Sequence, residues 1–310
     1  MKNVLFMVNP RAGMRRVIRF MPDIIRLFYE HGYRCETFVT GASGEASAYL
    51  TAHEGPLDLV VCAGGDGTLN ETVSGLLAAG IDCPLGYIPC GTTNDYASSI
   101  GLSQDILQAA RDIVEGRPRT FDVGTFNGRH FVYTATCGAF AKASYSTPQA
   151  AKNVLGHLAY VLEGVKDLAG IKPIAMHVEA DGRTIDEDII FCSITNSTSV
   201  GGILKLDSQL VSLNDGRFEV TLVKNPVNPA QLSTILYGLT SMDIPNEMIY
   251  FFSADRLRVR CEKPTEWTLD GEREPKTTDI ELVNLHSAVR IVIPERTDAS
   301  VFSPEAEDRT

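Results

Sequence analysis

Apolar residues in the first third of the chain come in short continuous runs separated by stretches of helical period. Asn3 to Val8, Tyr33 to Val39, Leu59 to Ala63 and Leu85 to Pro89 each read as a strand. Small or polar residues follow each run, and then a helix: about Met14 to His31 (stopped by Gly32), a segment through Tyr49 and Leu50, one carrying Leu69, Val73, Leu76 and Leu77 on a face, and one after Asp95. Strands alternating with helices predict a parallel sheet covered on both sides. Ligands of such sheets bind beyond the carboxyl ends of the strands. The loops Asn9 to Gly13, Thr40 to Gly44, Gly64 to Thr68 and Cys90 to Asp95 all fall at that edge.

The pattern changes near Arg119. Thr120 to Phe126 and Arg129 to Cys137 flank Asn127-Gly128, which suits a type I′ hairpin turn. One long amphipathic helix is predicted over about Ala150 to Ala169. Strands then resume at Pro173 to Ala180, Asp188 to Thr195, Gln209 to Leu213 and Arg217 to Val223. A short helix around Leu232 to Leu239 precedes strands near Tyr250, Arg256 to Glu262, Asp279 to Val283 and Val289 to Ile293. The expected architecture is α/β plus β: a doubly wound α/β domain over 1–121, rejoined by 290–310, and a mainly β domain over 122–289 with an inserted helix. Glu295 to Thr310 is polar and acidic and is expected to fray.

The run Leu59 to Ala63 leads into Gly64-Gly65-Asp66-Gly67-Thr68. The glycines allow close approach to a ligand and positive φ. Thr68 to Glu71 has capping-box spacing at a helix start, and Gly80 suits the helix stop. The amides of such a turn, with a helix N-terminus, suit phosphate. A carboxylate repels phosphate, so Asp66 belongs there if a metal ion or a reacting hydroxyl is present. The alternative is a tight turn with a solvated Asp.

Composition narrows the classes. At 310 residues with 44% hydrophobic, two ordinary cores are expected. A net charge of −11 argues against a nucleic-acid binder. Seven cysteines without a C-x-x-C pair fit reduced thiols and offer no zinc site. No signal peptide and no membrane-spanning apolar run are seen, so a cytoplasmic protein is expected. Sequons at Asn70 and Asn196 are then read as chance. Arg11, Arg15, Arg16 and Arg19 precede the first acidic residue of their helix, Asp23. They form either a solvated face or a patch for anionic lipid head groups.

Gly64-Gly65-Asp66-Gly67-Thr68-Leu69-Asn70-Glu71 resembles the signature of the diacylglycerol kinase catalytic domain, whose G-G-D-G-T core NAD kinases share. Pro89-Cys90-Gly91-Thr92-Thr93-Asn94-Asp95-Tyr96-Ala97 resembles the lipid-kinase P-x-G-T-x-N-D-F-A motif, with Tyr96 for the usual Phe. Sphingosine kinases usually lack that Asp, and the T-P-T-G-S-T-A-Y segment of NAD kinases is absent. Asn9-Pro10-Arg11-Ala12-Gly13 resembles the family's opening motif and Leu269-Asp270-Gly271-Glu272 its late D-G-E motif. The resemblance spans residue 4 to about 293 and is greatest to the soluble bacterial lipid kinases. Those pair a nucleotide-binding α/β domain with a β-sandwich domain, bind ATP in the cleft between them, and often dimerise.

That resemblance implies ATP contacts at Asn9, Thr40, Gly64, Gly65, Asp66, Gly67, Thr68, Leu69, Asn70 and Thr92. Thr40 alone would pass for a helix cap, and the sequence does not separate Thr92 from Thr93. Asp66 and Asp95 are the candidates to hold Mg²⁺, partly through water. Glu272 resembles the proton acceptor, with Asp66 as rival; Asp270 and Asp122 resemble members of the supporting acidic cluster. From spacing alone Asp270-Gly271 is a hairpin turn like the Asp-Gly pairs at 181 and 215. Asp215, with the carbonyls of Ser212 and Arg217, resembles a second, structural Mg²⁺ site, although Asp207-Ser208 stands where the family usually has Ala-Pro. His157, Lys142, Lys152 and Lys166 lie in or beside the long helix, and His157 reads as packing or surface.

The implied activity is an ATP- and Mg²⁺-dependent lipid kinase, peripheral to the membrane during turnover, with diacylglycerol as the default acceptor. Phosphatidylglycerol, a sphingoid base or an undecaprenyl-type alcohol are alternatives. A silent nucleotide- or lipid-binding protein is opposed by the joint presence of Asp66, Asp95, Asp270 and Glu272. A sugar or NAD kinase is opposed by Gly91 to Asp95.

Overall fold

Every residue of Val4–Val8 and of Leu59–Gly64 is buried, as strands covered on both faces must be. The structure is a computed structural model that describes residues 1–138, 172–200, 204–205, 211–241, 244–295, 297 and 302. Two units are distinguished, Met1–Asp122 together with the chain from His286, and Val123–Leu285.

In the first unit β1 (Lys2–Val8) lies between β2 (Tyr33–Val39) and β3 (Leu59–Gly64), and β4 (Leu85–Pro89) flanks β3. All these pairs are parallel, and Ile291 near the end of the last strand pairs parallel with Leu85. Helices α1 (Arg16–Glu30) and α5 (Ile106–Glu115) share one core with the sheet, built on Phe6, Val61, Ile24, Phe28, Ala110 and Ile113. Helices α2 (Glu45–Ala52) and α3 (Asp66–Ala79) pack together so closely that a Cβ on Gly75 would lie 2.8 Å from Ser47 Cα. The short α4 spans Asp95–Ser99. The doubly wound expectation holds here.

The second unit is a β-sandwich-like assembly of antiparallel strands. Arg183–Thr195 is its longest wholly internal strand: its first half pairs with Ile174–Ala180, and its second half runs between Thr134–Gly138 and Phe218–Lys224. Arg256–Thr265 pairs with Ile174–Ala180 and with Thr277–Ile293, and Ile249–Ala254 pairs with Phe218–Lys224. The core includes Phe131 stacked on Phe218 at 5.6 Å, with fully buried Trp267, Leu257 and Val259.

Several local expectations are corrected. Arg129 to Cys137 is not one strand: it breaks after Phe131 and resumes at Thr134, because the N–H groups of Val132, Tyr133 and Thr134 turn to the Asp270 carboxylate. Asp279 to Val283 and Val289 to Ile293 are parts of one strand, Thr277–Ile293. Within it Ser287 takes the left-handed conformation (φ 51°). Val211–Leu213 is not a strand, and the helix around Leu232 runs over Pro229–Ser241. The helix expected over 150–169, with His157, Lys152 and Lys166, lies outside the described residues, as do Lys142, Asp207-Ser208 and most of the acidic tail.

Candidate active site

Four loops leave the carboxyl edge of the parallel sheet, and hydrogen bonds knit them together. The Asn9 N–H donates to Ala63 O (2.9 Å), Cys90 N–H to Gly64 O (2.7 Å) and Thr40 N–H to Val8 O (2.9 Å). Asn9 Nδ2 donates to Thr68 Oγ1 (2.9 Å), while its Oδ1 accepts from Arg11 N–H (3.0 Å). Thr40 is not a helix cap: its buried hydroxyl donates to Val8 O (3.4 Å), and Gly44 occupies the cap of α2.

The glycine-rich turn works differently from expectation. None of Gly64, Gly65 and Gly67 has positive φ; Gly64 and Gly65 answer to space instead. A Cβ on Gly64 would sit 2.5 Å from the Thr68 side chain, and one on Gly91 would sit 2.7 Å from Gly65 Cα. Two loops therefore pass backbone to backbone. The helix also starts earlier than the capping-box reading placed it. Helix α3 opens at Asp66 with Gly65 as cap and no side-chain cap. Thr68 thus lies inside the first turn, where its hydroxyl meets Asn9, and Glu71 accepts from Ser43 Oγ (2.8 Å). The leading N–H groups of an α-helix have no intrahelical acceptor, which leaves this turn a site for anionic oxygens. Leu69 is buried and its N–H donates to Gly65 O (3.0 Å), so its side chain belongs to the core. Asn70 is half-buried on the same helix.

Asp66 ties the third loop to the fourth. Its Oδ2 accepts the Asp95 N–H (3.0 Å), and Tyr87 Oη lies 3.4 Å from its Oδ1. Asn94 makes the fourth loop possible. It takes the left-handed conformation (φ 52°), which Asn tolerates, and its Oδ1 accepts from Gly91 N–H (2.8 Å). Its Nδ2 donates to Gly91 O (3.1 Å) and Gln104 Oε1 (3.0 Å). Thr92 is exposed beside it and Thr93 half-buried. Burial pushes the Asp95 carboxyl up from the usual carboxylate range, and among the described residues no hydrogen bond or ion pair reaches that carboxyl. Burial also pushes the Cys62 and Cys90 thiols up to about 12, so neither adds negative charge beside the loops at neutral pH.

In the second unit the D-G-E segment forms the hairpin Trp267–Leu269/Glu272–Arg273. Asp270 is buried at its turn, where its carboxylate accepts from the N–H groups of Val132 (2.6 Å), Tyr133 (3.0 Å) and Thr134 (3.0 Å). Glu272, two residues on, is 52% exposed and ion-paired to Arg129 at 2.9 Å. Arg129 also pairs with Glu274, which is only 9% exposed. Arg129, Glu274, Asn94 and Tyr87 were not among the residues singled out from sequence. Asn94 carried a signal, its place in the N-D pair; the pairing of Arg129 with residues more than 140 positions away carried none.

Asp122 is buried in the first unit and accepts the Ser287 N–H at 2.6 Å. Asp215 Oδ1 accepts from Arg217 N–H (2.9 Å), Ser212 Oγ lies 3.4 Å from Asn214 Oδ1, and the Arg217 guanidinium pairs with Asp181. Among the described residues no group of three or more His, Cys, Asp or Glu side chains is gathered for a metal ion. A groove of about 930 Å³ beside His177, Lys224 and Arg260 contains none of the predicted site residues.

Comparison with known proteins gives the same frame. Residues 3–126 match the family described as diacylglycerol kinase catalytic domain, and residues 132–292 match the YegS C-terminal NAD kinase beta sandwich-like domain. A diacylglycerol kinase of Bacillus subtilis (strain 168) is 33% identical over 297 residues, 95% of this chain and 97% of that one. The chain belongs to the diacylglycerol kinase family. As a member of that family it is a kinase with an alcohol group as acceptor. Another relative, a diacylglycerol kinase of Staphylococcus epidermidis (strain ATCC 12228 / FDA PCI 1200), is 28% identical, covering 98% of this chain and 95% of its own. The fold is shared with a solved diacylglycerol kinase from Bacillus anthracis str. Sterne, at a TM-score of 0.75 and 23% identity over 95% of this chain and 98% of that one.

Proposed function

We propose that this diacylglycerol-kinase-family protein transfers the γ-phosphate of ATP to a lipid hydroxyl, with diacylglycerol the acceptor and phosphatidic acid the product. The observation that carries the reading is the bond from Asp95 N–H to Asp66 Oδ2. It joins the two acidic loops at the first turn of α3, where phosphate oxygens and their counter-ion have to meet. The names of the family's curated relatives supply the choice of acceptor.

Phosphoryl transfer requires positioning, charge neutralisation and a group that takes the alcohol proton. The first turn of α3 and the packed glycines at 64, 65 and 91 offer backbone donors to the phosphates, with Asn9, Thr68, Asn70 and the exposed Thr92 beside them. Asp66 and Asp95 fit a hard cation: both present oxygen donors, and the Asp95 carboxyl is desolvated with no cationic partner among the described residues. Mg²⁺ held there supplies charge neutralisation. Glu272 is the proposed proton acceptor, with Asp66 its rival; Asp122 holds the Ser287 N–H and Asp270 those of Val132, Tyr133 and Thr134, each bracing its own unit. Asp215, with the Ser212 and Arg217 carbonyls, is a weak second cation site in the same reading.

Access to a lipid needs a membrane-facing surface. Among the described residues no helix is long and apolar enough to cross a membrane. Arg11, Arg15, Arg16 and Arg19 are exposed together with Ile18, and this patch is the proposed contact with anionic head groups during turnover. Charge reversal of Arg15 and Arg16 should reduce co-sedimentation with anionic vesicles, and unchanged binding would remove the patch from the account.

The deciding experiment follows label from the γ-phosphate of ATP, with Mg²⁺, into a mixed-micelle panel of diacylglycerol, phosphatidylglycerol, sphingosine, undecaprenol and NAD. Labelling of diacylglycerol above the others is expected. Faster labelling of another lipid would change the acceptor, and labelling of NAD above every lipid would overturn the reading.

A further inference from the structure

The hairpin that carries Glu272 also carries a charge arrangement that the catalytic motif does not account for. Arg129, on the short strand Arg129–Phe131, reaches two carboxylates at once, Glu272 at 2.9 Å and Glu274 beside it. The three differ in exposure: 47% for Arg129, 52% for Glu272 and 9% for Glu274. Glu274 is therefore the anchored end of the fork and Glu272 the end open to solvent. The anchor is fixed from behind, since Glu274 N–H donates to Trp267 O at 2.9 Å and Trp267 is fully buried. Arg129 itself lies one residue beyond Gly128, the turn residue of the preceding hairpin, whose Asn127 side chain is bonded to Asp279 O and Glu281 N–H. Both ends of the contact thus start from backbone that is held.

We infer that Arg129, held by Glu274, is the positioning residue that aims the Glu272 carboxylate for proton acceptance. This rests on the assignment of Glu272 as the proton acceptor. A guanidinium within hydrogen-bond distance favours the charged form of a carboxylate, and a second carboxylate nearby opposes it. Burial raises the Glu274 carboxyl above its ordinary range; Arg129 opposes that rise and Glu272 adds to it. On the same hairpin Arg273 pairs loosely with Glu266 at 4.0 Å, and Asp270 is committed to backbone N–H groups. Arg129 is the guanidinium seated on Glu272 itself.

Arg129→Met should lower kcat for lipid phosphorylation about tenfold through misplacement of the carboxylate, with the KM for ATP and the urea midpoint of unfolding unchanged, because the pair is half-exposed and contributes little to folding. Glu274→Gln frees the fork from its anchor and should lower kcat by a smaller factor. Arg129→Lys keeps the charge and should restore part of kcat, although the fork is lost. A residue that only braced the hairpin would lower kcat and the urea midpoint together, with no rescue by lysine. Unchanged kcat in Arg129→Met overturns the inference. Full turnover in Glu272→Gln overturns instead the assignment of Glu272 as proton acceptor.

Discussion

Asp181-Gly182 and Asp270-Gly271 are the same turn by local measure. Both aspartates are left-handed, with φ of 48° and 47°, and both glycines follow with φ of 75° and 86°. Each closes an antiparallel hairpin, Ile174–Ala180 with Arg183–Thr195 in one case and Trp267–Leu269 with Glu272–Arg273 in the other. The first Asp points to the surface and pairs with Arg217. The second is 5% exposed and holds three backbone N–H groups of a broken strand. A dipeptide sets the bend, and what the bend carries depends on chain that arrives from elsewhere. In the second hairpin the aspartate builds the structure, and the glutamate two residues later stands clear of it.

The largest effect that can break this contrast is on stability. Asp270→Ala leaves three N–H groups without their acceptor and should cost about 4 kcal/mol, enough to lower the urea midpoint strongly. Asp181→Ala removes only a partly exposed pair and should cost about 1 kcal/mol. Equal losses would mean that the two turns do equal structural work.

Next comes the first unit, where two of the loops pass backbone to backbone. Gly91→Ala places a methyl 2.7 Å from Gly65 Cα and 2.6 Å from Asn94 Oδ1. Overpacking of about 1–3 kcal/mol should push the two loops apart, weakening ATP binding about tenfold or more by calorimetry. Unaltered affinity would detach the fourth loop from the nucleotide.

The smallest effect is expected at an exposed ion pair. His177 bonds to Asp186 (2.6 Å) and Glu179 (3.0 Å), and its pKa is raised chiefly by Asp186, then by Glu179. A pKa raised on folding contributes stability below the unfolded value, and that contribution is lost as pH rises through the folded value. His177→Gln should therefore lower the thermal midpoint slightly at pH 5 and not at pH 9. A loss of the same size at both would show that the ring matters by packing and not by charge.

The sequence disclosed most of the first unit because burial on both faces writes strands as unbroken apolar runs, visible in Val4–Val8 and Leu59–Gly64. The Asn127-Gly128 turn was equally plain, since both residues take the left-handed conformation that their types favour. The break at Val132-Tyr133 was not legible. Its acceptor, Asp270, lies 138 positions from Val132, and nothing local marks a strand whose N–H groups go to a side chain. Of the two reasons the sequence offers for the glycines at Gly64-Gly65, positive φ fails. Those glycines make room for Thr68 and Gly91, and that closeness exists only once the loops are brought together. Asp66 and Asp95 were paired by motif, and the hydrogen bond joining their loops gives that pairing a geometry.

The measurement that tests the account most directly compares turnover and stability in Glu272→Gln. Glu272 is half-exposed, and its pair with Arg129 is of the kind that contributes little to folding. The account predicts diacylglycerol phosphorylation reduced about 100-fold or more, with the urea midpoint of unfolding unchanged. Turnover close to that of the unaltered protein would contradict it, leaving Leu269 to Glu272 a hairpin turn and the proton acceptor elsewhere.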